Sequence, residues 1–300
     1  MIIFHDPRCV EYSGPSHHPE RPARISRTVP LLKDRHSEWE WRDPQILDED
    51  SLLRVHTSKH LARIRNARFD FDADTPAYPG IFEHAARAAG AAVDAAHEAK
   101  RGGRAFSLMR PPGHHAMRER AMGFCYFSHV AIAALDALEN GIERVAIWDI
   151  DAHHGNGTEE IVTDNPRIIF ASVHQFPGYP GTGTRSHHNI HNFPVGPYNP
   201  RLDHLAELRR SLDTVLSFKP NLLLVSAGFD AYRGDPITQM TLEPGDFATF
   251  GQWLREINLP TAAILEGGYS DELPELIDIF LSSWDSGRAR RNGSDDSGMG

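Results

Sequence analysis

The sequence predicts a single-domain α/β fold of three layers, α/β/α, around a mostly parallel central sheet. Four short runs are almost continuously apolar, which is typical of strands buried on both faces of a parallel sheet. Longer segments with apolar residues at helical spacing lie among them, as the connections between parallel strands require. The predicted strands are residues 144–150, 167–173, 221–227 and 261–265, and the predicted helices are residues 81–100, 130–138, 202–218 and 247–257.

The chain is 300 residues long, which is enough for one large domain with its own core. We predict one domain over residues 1–284. Residues 285–300 are polar and rich in Gly and Ser, which predicts a disordered tail. Residues 174–200, rich in Pro, Gly, Asn and His, are predicted to form a long irregular loop, a feature that usually has a function.

The charge balance narrows the classes of function. The chain has 31 basic and 41 acidic residues, a net charge of −10. This balance argues against nucleic-acid binding, which needs clustered Lys and Arg, and suits a cationic substrate. The two cysteines, Cys9 and Cys125, fit a reducing compartment, and neither a signal peptide nor a membrane-spanning run is evident. We therefore expect a cytoplasmic protein.

Residues 148–158, WDIDAHHGNGT, directly follow a predicted strand. Side chains alternate in an extended chain, so Asp149, Asp151 and His153 are expected to point to one side. Asp151 and His153 can then bind one metal ion together. One oxygen and one nitrogen ligand suit Zn²⁺ or Fe²⁺.

Two further strand ends carry polar side chains. Asp230 follows the strand at 221–227 in SAGFDAYRGDP, and as a third ligand it would leave an open position, as in catalytic zinc sites. Tyr269 follows the strand at 261–265 in LEGGYS, where its phenol could stabilise an oxyanion.

Two adjacent histidines, His114 and His115, lie in a loop braced by Pro and Gly, RPPGHHA, shortly before GFCYF at residues 123–127. Near a metal-activated water they could act as general base and acid. Taken singly, each of the four motifs is also typical of a turn or a capped loop. Three of them, however, follow apolar strands, at the edge of the sheet where ligands of α/β proteins bind.

In this order, RPPGHHA, GFCYF, WDIDAHHGNGT, SAGFDAYRGDP and LEGGY resemble the motifs of the zinc-dependent histone deacetylase family. Within this family the motifs are class II-like, and they also resemble those of acetylpolyamine amidohydrolases and acetoin-utilisation proteins. The resemblance covers the chain from His18 to about Tyr269. It implies the arginase/deacetylase-like fold and the hydrolysis of an acetamide to acetate and an amine.

The resemblance also implies roles for individual residues. His115 would be the general base and acid, with His114 as its electrostatic partner and Asp149 orienting His114. Asn156 would pair with His115; some branches of the family have Asp there, and a neutral partner stabilises an imidazolium less. Tyr269 would donate to the developing oxyanion. The implied metal ligands are Asp151, His153 and Asp230.

The substrate-binding residues implied by the resemblance surround a narrow tunnel. Phe124 would form one wall and Tyr179 the opposite aromatic wall. Asp74 would be the aspartate of the rim that holds the substrate backbone. Gly123 and Gly267 would line the channel.

The implied metal is Zn²⁺, with Fe²⁺ as an alternative in vivo, and K⁺ or Na⁺ would bind near Asp149–His153 and Ser172 as a structural ion. The implied substrate is an acetylated lysine in a peptide or protein, or an acetylated polyamine. Polyamine-selective members of the family narrow the tunnel or carry an acidic gate. The residue after Asp235-Pro236 is the apolar Ile237, so we favour acyl-lysine.

Two other classes of protein compete with this hypothesis. A binuclear, arginase-like hydrolase would need further aspartates, whereas this chain has His154, Asn156 and Tyr232 near those positions. A non-catalytic acyl-lysine binder would keep the metal site without turnover. Counting the metal ions per chain distinguishes the binuclear hydrolase from a deacetylase. Measuring turnover distinguishes the non-catalytic binder from an enzyme.

Overall fold

The structure, a computed structural model of the chain, describes residues 1–286. Its eight strands are β1 (Ile2–Phe4), β2 (Glu40–Arg42), β3 (Arg104–Ser107), β4 (Val145–Asp149), β5 (Ile168–Gln175), β6 (Ile190–Val195), β7 (Leu222–Ala227) and β8 (Thr261–Leu265). They form one sheet in the order β2-β1-β3-β8-β7-β4-β5-β6, and every neighbouring pair is parallel.

Ten α-helices connect or flank these strands within the described residues. They are α1 (Ala23–Ser26), α2 (Thr28–Arg35), α3 (Glu49–Leu53), α4 (Ser58–Arg65), α5 (Ile81–Lys100), α6 (His129–Glu139), α7 (Asn156–Val162), α8 (Arg201–Ser217), α9 (Pro244–Glu256) and α10 (Leu273–Asp285). A short 3₁₀ helix, Pro7–Val10, precedes them. None of the helices in residues 1–286 has the length and apolar character needed to span a membrane.

Strands β4, β5, β7 and β8 are buried along their whole length. Because successive side chains of a strand point to opposite faces, complete burial means that both faces of the sheet are covered. The buried tryptophan of β4, Trp148, shows one such contact: its indole donates to Ser211 of α8 and its ring packs on Phe250 of α9. The predicted three-layer fold with a parallel sheet is confirmed.

The region predicted as one irregular loop, residues 174–200, is partly regular. Strand β5 continues to Gln175, and β6, Ile190–Val195, lies inside the stretch. The prediction was wrong here because Pro194 and the surrounding polar residues argue against a central strand. As the outermost strand on its side, β6 tolerates a proline.

The predicted tail, residues 285–300, lies outside the described residues except for its first two. Asp285 is the last residue of α10 rather than the first residue of a tail, and its carboxylate accepts a hydrogen bond from the indole of Trp39. The division into a domain at 1–284 and a disordered tail remains a prediction.

A buried ion pair links the N-terminal segment, at Glu20, to the loop that follows β3, at Arg110. Arg110 and Glu20 are 0% and 2% exposed, and the guanidinium donates to both carboxylate oxygens and to the carbonyl of Cys9. Burial alone would raise the pKa of Glu20, but Arg110 and Arg24 outweigh it and lower the pKa. The pair is therefore ionised and holds the start of the His114–His115 loop.

We expect Arg110→Met to lower the free energy of unfolding by about 3–5 kcal/mol, because it leaves the Glu20 carboxylate buried without its principal partner. Urea unfolding measures this loss. Arg233→Met is the control: it removes an exposed ion pair with Glu243, 3.0 Å apart, and should change stability by at most about 1 kcal/mol. Equal small effects of the two substitutions would contradict this interpretation.

Candidate active site

Four neighbouring strands of the sheet, β3, β8, β7 and β4, end at the same edge. The segments that follow them carry the polar motifs of the sequence. The register of the sheet aligns these strand ends. Asp149 at the end of β4 pairs with Ser226 of β7, and Ala227 of β7 pairs with Leu265 of β8. Segments distant in sequence are thus held side by side by the ladder of a buried sheet.

Asp151, His153 and Asp230 meet at this edge. Nδ1 of His153 lies 2.8 Å from Oδ2 of Asp230 and 3.1 Å from Oδ1 of Asp151. One ligand atom from each of the three residues lies within 4.8 Å of the others. Both carboxylates are fully buried, and the His153 side chain is 12% exposed.

This cluster has the electrostatics of a cation site. Burial lowers the pKa of His153, but the two carboxylates outweigh it and raise the pKa well above its usual value. Two buried carboxylates that converge on one imidazole leave an excess of negative charge, which a divalent ion would neutralise in place of the proton. One nitrogen and two oxygens fit Zn²⁺ or Fe²⁺.

Backbone groups hold the two carboxylates in place. The N–H of Ala152 donates to Asp230 (2.8 Å), and the N–H of Gly267 donates to Asp151 (2.7 Å). A Cβ on Gly267 would collide with the carboxylates of both Asp230 and Asp151. The structure thus places Gly267 against the candidate ligands, and only glycine fits there.

The adjacent histidines lie beside the cluster with their rings 4.0 Å apart. Nδ1 of His114 is 3.0 Å from Asp149, and Nδ1 of His115 is 2.7 Å from Oδ1 of Asn156. Burial lowers the pKa of His114, but Asp151 and Asp149 outweigh it and raise the pKa to about 10. Burial and the neighbouring charges of His114 and His153 lower the pKa of His115 well below its usual value. In the metal-free protein His114 is therefore protonated and His115 neutral at pH 7.

Tyr269 follows β8 and reaches the same space. Its backbone N–H donates to Asp235 (2.7 Å), and the Arg24 guanidinium lies 4.8 Å from its ring centroid. Burial raises the pKa of the phenol well above its usual value, so the hydroxyl keeps its proton. A protonated phenol at this place can donate a hydrogen bond.

A pocket of about 340 Å³ opens above these groups. The ring of Tyr179 lies 5.1 Å from that of His115, and the ring of Phe124 lies 5.6 Å from that of Tyr269. Aromatic rings thus bound the pocket next to the polar residues. The lining residues are Pro19, Asp74, His115, Gly123, Phe124, His153, Tyr179, Ile237 and Tyr269.

The segment that carries Phe124 has an unusual backbone. Gly123 and Phe124 both have φ in the left-handed region, +57° and +68°, and the N–H of Phe124 donates to the hydroxyl of Thr75. A bulky residue adopts this conformation only when its surroundings impose it, as they often do at functional sites. A Cβ on Gly123 would collide with the ring of His115.

Asp74 and Ile237 both line the pocket, together with Pro19. His18 contacts two residues of the pocket wall. Its Nε2 is 3.1 Å from the carbonyl oxygen of Asp74, and its ring lies 4.8 Å from that of Phe124. Of the thirteen site residues named from the sequence, twelve lie at the cluster, the paired histidines or the pocket wall. Gly267, predicted to line the channel, instead contacts the two carboxylates of the cluster and is not among the lining residues. Their catalytic, ligand and substrate-binding roles remain predictions.

Sequence reasoning missed two buried acids of this site. Glu266 and Asp235 are 0% and 6% exposed, and both accept hydrogen bonds from the backbone of residues in the site. An acid directly after an apolar strand is the signal that could have identified Glu266. Pro19 was also missed as a lining residue.

Within residues 1–286, the cluster of Asp151, His153 and Asp230 is the one group of His, Cys, Asp or Glu arranged to hold a metal. The K⁺ or Na⁺ site near Asp149–His153 and Ser172 remains a prediction. Ser172 is buried, and its hydroxyl lies 2.9 Å from Nδ1 of His174.

Comparisons with known proteins identify the family. The histone deacetylase domain matches residues 18–282. An uncharacterized protein of Synechocystis is 40% identical over 285 residues, 88% of this chain and 91% of the relative. A protein of Methanothermobacter thermautotrophicus named as a probable deacetylase is 36% identical over 290 residues, 91% of this chain and 86% of the relative.

A solved structure of acetylpolyamine aminohydrolase from Burkholderia pseudomallei has the same fold. It superposes with a TM-score of 0.86 at 25% identity, over 95% of this chain and 99% of that chain. The chain belongs to the histone deacetylase family, whose relatives include acetylpolyamine amidohydrolases. The resemblance found in the sequence motifs is confirmed.

We expect the protein to bind one divalent ion per chain and to release about one proton at pH 7. In the metal-free protein the raised pKa of His153 keeps it protonated, and a metal ligand must be deprotonated. Metal affinity should therefore fall as the pH falls. Calorimetric titration with Zn²⁺, in two buffers of different ionisation enthalpy, measures both numbers.

Asp230→Asn should weaken this binding at least about 100-fold, since even residues that only support metal ligands contribute about 10–100-fold. Asp74→Asn, at the pocket wall and outside the cluster, is the matched control and should bind like the wild type. Two ions per chain, or unchanged affinity in Asp230→Asn, would count against the cluster as the metal site.

Proposed function

We propose that the protein is a metal-dependent deacylase that removes the acetyl group from the ε-amine of lysine in peptides or proteins. The observation that carries the proposal is the aromatic-bounded pocket, whose lining includes His115, His153 and Tyr269. An acetylated lysine side chain is slender and uncharged, and it suits a passage bounded by Phe124 and Tyr179. Family membership supports amide hydrolysis as the reaction.

The chain's own residues account for proton handling. Asn156 accepts from Nδ1 of His115, which leaves Nε2 of the neutral ring free to take a proton. His115 would take this proton from the attacking water and pass it to the leaving amine. His114, protonated and paired with Asp149, would keep His115 neutral until the water is deprotonated.

Tyr269 would act on the acetamide oxygen, beside the residues that would hold the metal. Zn²⁺, or Fe²⁺, held by Asp151, His153 and Asp230 would supply a Lewis acid and lower the pKa of a water molecule. The phenol of Tyr269 would donate to the oxygen as negative charge develops on it. Water and the acetamide thus become acetate and a free amine.

An acetylated polyamine is the second candidate substrate. It is favoured by the likeness to the acetylpolyamine aminohydrolase structure. Such a substrate carries an ammonium group a few bonds from the amide, which an acid in the passage would stabilise. Asp74 is the one acidic residue among those lining the pocket, and Ile237 is apolar. Asp74 is therefore compatible with the polyamine, and the apolar Ile237, where an acidic gate would stand, is the residue of this lining that favours acyl-lysine.

Acetate release from an acetyl-lysine peptide and from an acetylated polyamine, measured side by side on metal-loaded protein, tests the proposal. We expect a higher kcat/KM for the peptide. A higher value for the polyamine would assign the second candidate. No release from either, by protein that binds metal, would contradict the proposed activity and support a binder of acylated lysine.

We expect Tyr269→Phe to lower kcat at least about 100-fold with little change in KM, the usual loss for one oxyanion donor. Tyr198→Phe is the control, because Tyr198 is 76% exposed and does not line the pocket. Steady-state kinetics on the acetyl-lysine peptide provide both constants. A near-wild-type kcat in Tyr269→Phe would remove Tyr269 from the mechanism.

A further inference from the structure

Glu266 is a fully buried acid at the end of β8, three residues before Tyr269. Its Oε2 accepts hydrogen bonds from the backbone N–H groups of Gly113 (2.7 Å) and His114 (3.1 Å). Its Oε1 lies 3.4 Å from the hydroxyl of Ser226. One carboxylate therefore connects the turn after β8 to the segment that carries the paired histidines.

Two successive backbone N–H groups form a concavity that favours an anion. Both N–H groups donate to the same oxygen, Oε2, and a carboxyl group keeps an acceptor oxygen whether it is ionised or protonated. The Gly113 and His114 N–H groups lie in a loop without regular secondary structure of its own, between β3 and α6. Glu266 gives this loop a fixed attachment to the centre of the sheet.

The same turn holds the other parts of the site. The N–H of Gly267 donates to Asp151, and the N–H of Tyr269 donates to Asp235. A shift of the histidine loop relative to this turn would therefore change the distance from His115 to both Tyr269 and the metal cluster. Glu266 belongs to this turn and accepts hydrogen bonds from the histidine loop, so it links the two segments directly.

We infer that Glu266 is a positioning residue that holds His114 and His115 in register with Tyr269 and the metal cluster. The inference rests on the proposed function and adds a residue to it. Glu266 does not line the pocket, so it acts through the histidine loop. Its loss should lower kcat, since a displacement of about 1 Å can cost about 100-fold in rate. KM should stay near the wild-type value because the pocket wall is unchanged.

Three substitutions of Glu266 separate position from charge, and a fourth substitution, at Ser226, is the control. Glu266→Gln keeps an oxygen that can accept from both N–H groups and offers its amide nitrogen to Ser226. Glu266→Leu removes the acceptor. Glu266→Asp keeps the charge but is one methylene too short to reach, and it serves if the Leu variant does not fold. Ser226→Ala removes the third partner and leaves both hydrogen bonds to the histidine loop.

Kinetics on the acetylated substrate that the wild type hydrolyses best are the first readout. We expect kcat to fall about 100-fold in the Leu variant and at least about tenfold in the Asp variant, with KM within about threefold. The Gln variant should recover kcat to within about tenfold of the wild type, and Ser226→Ala should match the wild type. A loss in KM alone, or no loss in the Leu and Asp variants, would overturn the inference.

Amide hydrogen exchange is the second readout, and it does not depend on turnover. The amide protons of Gly113 and His114 should exchange slowly in the wild type and in Glu266→Gln, and faster in Glu266→Asp and Glu266→Leu. If the wild type hydrolyses neither substrate, the proposed function fails, and exchange still decides whether Glu266 holds the loop. Equal exchange in all four proteins would overturn the positioning role.

Discussion

The site depends on a concentration of buried carboxyl groups at one edge of the sheet. Asp149, Asp151, Asp230 and Glu266 are all 0% exposed. A buried carboxylate is costly unless it is paired and hydrogen-bonded. Each of these four has a defined set of partners, from histidine rings and from backbone N–H groups. The requirement to give each buried carboxyl group hydrogen-bond partners fixes where the histidines, the glycine turn and the strand ends lie.

The same constraint explains why two adjacent histidines differ in charge. His114 lies within reach of Asp149 and Asp151 and is held as an imidazolium, whereas His115 has the neutral Asn156 as its partner. A carboxylate in place of Asn156 would favour a second imidazolium. The arrangement leaves His115 neutral, and a general base must be neutral before it can take a proton.

The central part of the fold and most of the site were predictable because they depend on local patterns. Four buried strands are near-continuous apolar runs, and the candidate ligands follow directly after two of them. The short strands β1 and β2 have three residues each and no periodicity to detect. Glu266 was missed because its partners at 113 and 114 lie more than 150 positions away in the sequence. Contacts of that range follow from the strand order, which single-sequence patterns do not provide.

The central claim is that the two carboxylates and the imidazole at the ends of β4 and β7 form a binding site for one divalent cation. Anomalous diffraction from crystals grown with Zn²⁺ measures this directly. We predict one peak per chain, about 2.0–2.2 Å from ligand atoms of Asp151, His153 and Asp230. A peak at another place, or a second peak beside the first, would contradict the account.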